Sequence, residues 1–233
     1  MSNEARHALV TGSSSGIGAA CARHLLALGW QVTGLDMQPP TLDHPRFRAL
    51  TADLRDAVAL NRALDSVAGA NALVHAAGIL RTGRIEQLDP EDGLAMWHLH
   101  VDATTRLAQR LLPAMAAAGH GRVVLIGSRV ARGIAGRSQY AASKAALVAL
   151  ARSWAAEVVR QGVTVNVVSP AATNTAMLGD PARQDTPPKL PPRGRLIEAD
   201  EVAAAVGFLL SPQAAAITGQ ELVLCGGASL EGA

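Results

Sequence analysis

Short apolar runs alternate along the chain with longer stretches whose apolar positions recur every three or four residues. The short runs read as buried strands and the longer ones as amphipathic helices. Ala8-Leu9-Val10 is the first strand, followed by a Gly/Ser turn and a helix to about Leu28. Further strands are expected at Gln31–Leu35, Phe47–Leu50, Ala72–His75, Arg122–Ile126, Val163–Val168 and Glu221–Leu224. Helices are expected at about Glu91–Ala118, at Ser138–Gln161 and at Glu198–Leu210. Strands alternating with helices imply right-handed crossovers, hence a parallel sheet with helices on both faces. The pattern predicts an α/β protein with a doubly wound, seven-stranded sheet. No composition break or repeat divides the chain, so residues 1–233 read as a single domain.

Two stretches break the alternation. Met37–Arg46 carries Pro39, Pro40 and Pro45, which leaves a loop between strands two and three. Ala171–Arg195 carries Pro181, Pro187, Pro188, Pro191 and Pro192. A loop of that length inside a compact domain reads as a substrate loop or lid.

Composition narrows the class. Hydrophobic residues make up 49% of the chain but aromatics only 3%, so the core is built mainly from Ala, Val and Leu. Net charge is +2, without a run of Lys or Arg, so neither nucleic acid nor a membrane surface is an expected partner. No apolar run reaches spanning length and Met1–His7 lacks a signal-peptide layout, so a cytoplasmic setting is expected. Cys21 and Cys225 lie outside any CxxC or His-rich context and read as reduced, buried thiols. No metal site is signalled.

Chemistry enters at Ser138-Gln139-Tyr140-Ala141-Ala142-Ser143-Lys144. On a helix, Tyr140 and Lys144 share one face. A phenol titrates near pH 10, too high to accept a proton at neutrality. A cation about 4 Å away is worth roughly 4 kcal/mol at an effective dielectric near 20, enough to lower that value by about three units. Taken alone, the spacing is also what an ordinary helix face supplies.

A second feature changes that balance. Thr11-Gly12-Ser13-Ser14-Ser15-Gly16-Ile17-Gly18 joins the first strand to the first helix. Glycines let the backbone approach a diphosphate, and the helix N-terminus offers free N–H groups. Asp36 ends the second strand 18 residues beyond Gly18, where a carboxylate meets ribose hydroxyls and repels a 2′-phosphate. No Lys or Arg lies in the glycine turn or directly after Asp36, so NAD is expected over NADP.

On these residues the chain resembles the short-chain dehydrogenase/reductase family over essentially its whole length, and the fold implied is the Rossmann fold. The glycine pattern is TGxxxGxG, and Tyr140-x-x-x-Lys144 is similar to the family's catalytic pair. Ser128 lies twelve residues before Tyr140, as the family's catalytic serine does. By the same resemblance, Gly12, Ser14, Ser15, Gly16, Ile17, Gly18 and Asp36 bind the cofactor. So do Asp53 and Leu54 at the adenine, Ala76-Ala77-Gly78 after strand four, and Pro170, Thr173 and Thr175 near the nicotinamide, beside Tyr140 and Lys144 themselves. Asn166-Val167-Val168-Ser169-Pro170, Thr218-Gly219-Gln220 and Gly226-Gly227 extend the likeness.

Five positions depart from the family pattern. His75-Ala76 replaces Asn-Asn, Ala171 replaces Gly, Cys225 replaces Asp, and His100 stands at the active-site Asn. His100 is therefore counted with the catalytic residues, and two readings of it stand: a member of the proton relay, or a packed side chain. The resemblance implies interconversion of a secondary alcohol and a ketone, with NAD as cofactor and a homotetramer or homodimer as the assembly. The Ala-rich stretches Leu107–Ala118 and Ala141–Ala156 allow the close helix packing that such an assembly uses.

Leu73–Arg81 and Val32–Asp36 look like the subgroup of 2,3-dihydro-2,3-dihydroxybenzoate dehydrogenases, which implies a cyclic diol or hydroxy acid as substrate. Arg81, Arg132, Arg137, Arg183 and Arg193 are candidate carboxylate partners or solvated charges. Sugar or polyol dehydrogenase, hydroxysteroid-type and ketoacyl reductase activities stay open, as does a noncatalytic dinucleotide-binding role.

Overall fold

The computed structural model describes residues 6–179 and 189–230. Seven parallel strands form one sheet: β1 (His7–Thr11), β2 (Gln31–Asp36), β3 (Phe47–Thr51), β4 (Ala72–His75), β5 (Gly121–Ile126), β6 (Val163–Pro170) and β9 (Glu221–Leu224). Their spatial order is β3-β2-β1-β4-β5-β6-β9. A two-stranded parallel pair, β7 (Thr173–Asn174) and β8 (Ile197–Glu198), lies outside it. The central strands are almost wholly apolar because both faces are covered.

α1 (Gly16–Ala27) and α6 (Ala199–Leu210) cover one face, through Leu25, Leu26, Val202 and Val206. α2 (Ala57–Asp65), α4 (Ala103–Ala118) and α5 (Ser138–Val158) cover the other, through Leu60, Leu64, Leu107, Leu147 and Ala151. α3 (Pro90–Trp97) precedes α4. The sheet, its seven strands and its two helical layers are as the sequence pattern predicts.

Three local features differ from that pattern. α2 was not foreseen: its single apolar pair is too short a signal, and its start is fixed by Asp56, whose carboxylate accepts from Val58 N–H and Ala59 N–H. The expected Glu91–Ala118 helix is interrupted by a π-helical turn, His98–Asp102, a single turn set by tertiary contacts rather than by the repeat of apolar positions. Cys225 is half-buried rather than buried, because β9 is an edge strand, whereas the Cys21 thiol is buried and pushed up to about 12 by desolvation. Residues 37–46 form no helix, as expected. Of the proline-rich 171–195 segment, residues 180–188, with Arg183 among them, lie outside the described residues.

Strand order reverses at β1 and β4, and a crevice opens outside the carboxyl ends of the strands at such a point. Among the described residues no helix is long and apolar enough to cross a membrane.

Candidate active site

The carboxyl ends of β1 to β6 border one cleft of about 1900 Å³. That exceeds the roughly 300–1,000 Å³ of a pocket for one small ligand, so there is room for a dinucleotide beside a substrate. Gly12, Ser15, Gly16, Ile17 and Gly18 line one end of it. Asp36, Asp53, Leu54, Ala76, Ala77 and Gly78 continue the wall, and Ser128, Tyr140, Lys144, Pro170, Thr173 and Thr175 complete it. Two of the predicted residues, Ser14 and His100, stand behind this lining.

The glycine turn is shaped by contact as well as conformation. Gly12 has φ +67°, and a Cβ there would lie 2.9 Å from the backbone of Ala77. A Cβ on Gly18 would collide with the carbonyl of Gly12, so β1 and α1 can meet only at glycine. Ser15 is the N-cap of α1 but makes no side-chain cap bond, and the first turn holds no acid. The first N–H groups of α1 therefore have no internal acceptor and favour an anion. That fits a diphosphate.

Asp36 is held from two sides. Its Oδ2 accepts from Ser14 N–H at 3.0 Å and its Oδ1 from Gln38 N–H at 2.9 Å. Ser14 thus positions the carboxylate instead of facing the cleft. Asp53 is more committed: Arg55 donates through its backbone N–H, Nε and Nη2 at 2.8–3.2 Å. Those bonds hold the Asp53 carboxyl below its ordinary value. Arg55 also lines the cleft and was not anticipated, since nothing in the sequence distinguishes it from a solvated arginine.

Deeper in, Ser128 lies two residues past the end of β5 and is buried, its Oγ accepting from Val130 N–H at 3.2 Å. That acceptance leaves the hydroxyl proton available to another oxygen. Tyr140 and Lys144 lie on the first turns of α5 and are buried. Lys144 Nζ donates to the Ile126 carbonyl at 2.9 Å and lies 5.9 Å from the centre of the Tyr140 ring. Burial drags the Lys144 ammonium down to about 7. The helix spacing therefore places a phenol and an ammonium on one face, as expected, in a setting that penalises charge.

His100 is fully buried on the π-helical turn. Its ring meets the Tyr140 ring edge-on, with centroids 5.7 Å apart. A Cβ added to Gly78 would lie 3.1 Å from His100 Nε2 and 3.5 Å from Lys144 Nζ, so the bare Gly78 backbone is the spacer between them. Desolvation, with repulsion from Lys144 and His75, holds His100 well below its ordinary pKa.

Beyond Ser128 and Tyr140 the cleft is basic. Arg81, Arg84, Arg129, Arg137 and Lys189 line this half, with Glu86 among them, and Arg81 Nε lies 3.5 Å from Asp92 Oδ1. Of the arginines singled out in the sequence, Arg81 and Arg137 are in place. Arg132 faces a smaller pocket, and Arg193 lies 3.8 Å from Glu201 on α6. The Gly83 N–H donates to the Gly136 carbonyl, which ties the loop after β4 to the loop before α5.

A family model described as enoyl-(acyl carrier protein) reductase matches residues 12–229. The 3-oxoacyl-(acyl-carrier-protein) reductase FabG of Vibrio cholerae is 35% identical, covering 97% of this chain and 98% of that protein. The D-threitol dehydrogenase of Mycolicibacterium smegmatis is 33% identical, covering 96% of this chain and 93% of its own. A solved structure described as a short chain dehydrogenase/reductase family protein superposes with a TM-score of 0.86 at 34% identity, covering 97% and 98% of the two chains. With the parallel sheet and the glycine turn already in hand, these likenesses place the chain in the short-chain dehydrogenase/reductase family, oxidoreductases that act on CH–OH groups.

Proposed function

We propose that the protein interconverts a secondary alcohol and a ketone with NAD, through Ser128, Tyr140 and Lys144, on a hydroxy acid or cyclic diol acid. One observation carries this reading: those three side chains border the same cleft as the glycine turn and Asp36. The whole chain acts as one nucleotide-binding domain, with segment 171–195 as its substrate loop.

The glycine turn and the α1 N-terminus hold the diphosphate. Asp36 takes the adenosine ribose hydroxyls, and Asp53 and Leu54 flank the adenine. Ala76, Ala77 and Gly78 line the path to the nicotinamide, whose end meets Pro170, Thr173 and Thr175. Tyr140 and Lys144 reach its ribose. NAD, when bound, supplies the carbon that exchanges hydride with the substrate. A 2′-phosphate would meet the Asp36 carboxylate, which is already fixed by two N–H groups.

For oxidation, the Tyr140 phenolate accepts the substrate hydroxyl proton. Ser128 Oγ donates to the same oxygen as charge develops on it. Lys144, as its ammonium, supplies the positive charge that makes a phenolate accessible, against the burial that brings its own pKa down to about 7. In reduction Tyr140 returns the proton. Acids are favoured as substrates because Arg84, Arg129, Arg137 and Lys189 line the cleft while the chain as a whole carries only +2.

The second reading is reduction of a 3-oxoacyl thioester, favoured by the likeness to FabG. Absorbance at the NADH band separates the two. Initial rates are measured with NAD and with NADP on cyclic hydroxy and diol acids, neutral polyols, and 3-oxoacyl thioesters in the reverse direction. The proposal expects the largest kcat/KM for an acid with NAD. A thioester or neutral polyol favoured over every acid, or NADP over NAD, would overturn it, and cofactor binding without turnover on any substrate would indicate a noncatalytic role.

A further inference from the structure

The chain carries histidine at two positions where its family has asparagine, residues 75 and 100, and the fold brings both beside Lys144. Their hydrogen bonds assign their protons. Thr11 Oγ1 accepts from Ala76 N–H at 3.1 Å and from Ala77 N–H at 3.2 Å. Both lone pairs are then used, so the Thr11 hydroxyl donates to His75 Nδ1 at 2.9 Å. The His75 proton is therefore on Nε2. That nitrogen meets no hydrogen-bond partner, and the ring lies against the backbone of Leu99, in the π-helical turn.

His100 has the opposite arrangement. Ile79 N–H donates to its Nε2 at 3.2 Å, so that nitrogen is bare. Its Nδ1–H donates to Ser143 Oγ at 2.9 Å, and the Ser143 hydroxyl donates to the Tyr140 carbonyl at 2.9 Å. This chain of donors ends on a backbone carbonyl, which cannot accept a proton at neutral pH. It leads away from the Tyr140 phenol, and His100 does not face the cleft.

We propose that His75 and His100 are positioning residues, a pair of neutral imidazoles fixed in opposite tautomers, and that no proton passes through His100. His100 bolts the Gly78–Ile79 loop to the helix that carries Tyr140 and Lys144, and His75 braces the π-helical turn from β4. The inference rests on the assignment of Tyr140 and Lys144 as the proton-transfer pair. The charged or titratable groups facing the two rings are Lys144, Tyr140 and, for His100, the His75 ring itself, and a cation there opposes protonation of either imidazole.

Nitrogen NMR of the labelled full-length protein reads the tautomers directly. The expected result is His100 protonated on Nδ1 and His75 on Nε2, with neither titrating between about pH 6 and about pH 9. His100 protonated on Nε2, or titrating in step with the pH–rate profile, would overturn the proposal. Kinetics of two variants give a second arm. In His100→Gln an amide can both accept from Ile79 N–H and donate to Ser143, so kcat should stay within about tenfold of wild type. In His100→Leu kcat should fall about 100-fold with the pH–rate midpoint unmoved. Equal losses in both variants, or a shifted midpoint, would contradict it. If Tyr140 proved dispensable while the tautomers stood as assigned, the catalytic reading would fail and the positioning of the two rings would not.

Discussion

Lys144 shows how a functional side chain works against the fold that holds it. Its ammonium is buried, its hydrogen bond is to the neutral Ile126 carbonyl, and desolvation lowers its pKa from the ordinary 10.5 to about 7. Between those two values the unfolded chain holds this proton and the folded chain does not, so wild-type stability rises with pH across that window. Lys144→Met removes the buried charge and leaves the Ile126 carbonyl unpaired, at about 1–3 kcal/mol. The variant should be the more stable by roughly 2–4 kcal/mol near pH 6, where the ammonium cost is at its full value. Near pH 10 that cost has gone and the variant should be the less stable. Denaturant unfolding at the two pH values checks this, and a difference that does not change sign contradicts it. The Tyr140–Lys144 spacing was legible in the sequence because a helix fixes it. The partners of His100 were not, since Ile79 and Ser143 lie 21 and 43 residues from it along the chain.

At the scale of elements, the strands were readable because each central strand is a short apolar run covered on both faces. The glycine turn was readable because its context is local: a strand, a tight turn, a helix. What escaped depends on tertiary context. α2 has only Leu60 and Leu64 fully buried, too little periodicity to stand out. The π-helical turn His98–Asp102 is decided by the packing of His75, Ile79 and α5 around it. The basic half of the cleft comes from four separate stretches, around Arg81, Arg129, Arg137 and Lys189, and the pairings of Arg81 with Asp92 and of Arg193 with Glu201 engage two candidates that sequence position alone suggested. Cys225, expected to be buried, is half-buried just past the end of the edge strand β9.

For the whole molecule the open surface matters most. Leu94 and Trp97 on α3, Phe208 on α6 and Leu222 on the edge strand β9 are all more than 40% exposed. Large apolar side chains left uncovered, and a sheet edge at β9, are the expected mark of an assembly. We propose a homotetramer, or a homodimer, that covers them. Sedimentation equilibrium should give a mass of two or four chains, and a mass of one chain across the working concentration range would contradict it.

The central claim is that the cleft transfers a proton through Tyr140, with Lys144 and Ser128 serving that step. The most direct measurement is a Tyr140→Phe variant assayed for turnover and, by titration, for NAD binding. The ring and its packing against His100 are kept while the one ionisable oxygen is removed. The account predicts turnover lost by at least about a thousandfold, with the NAD dissociation constant within about tenfold of wild type. Near wild-type turnover in that variant would contradict it.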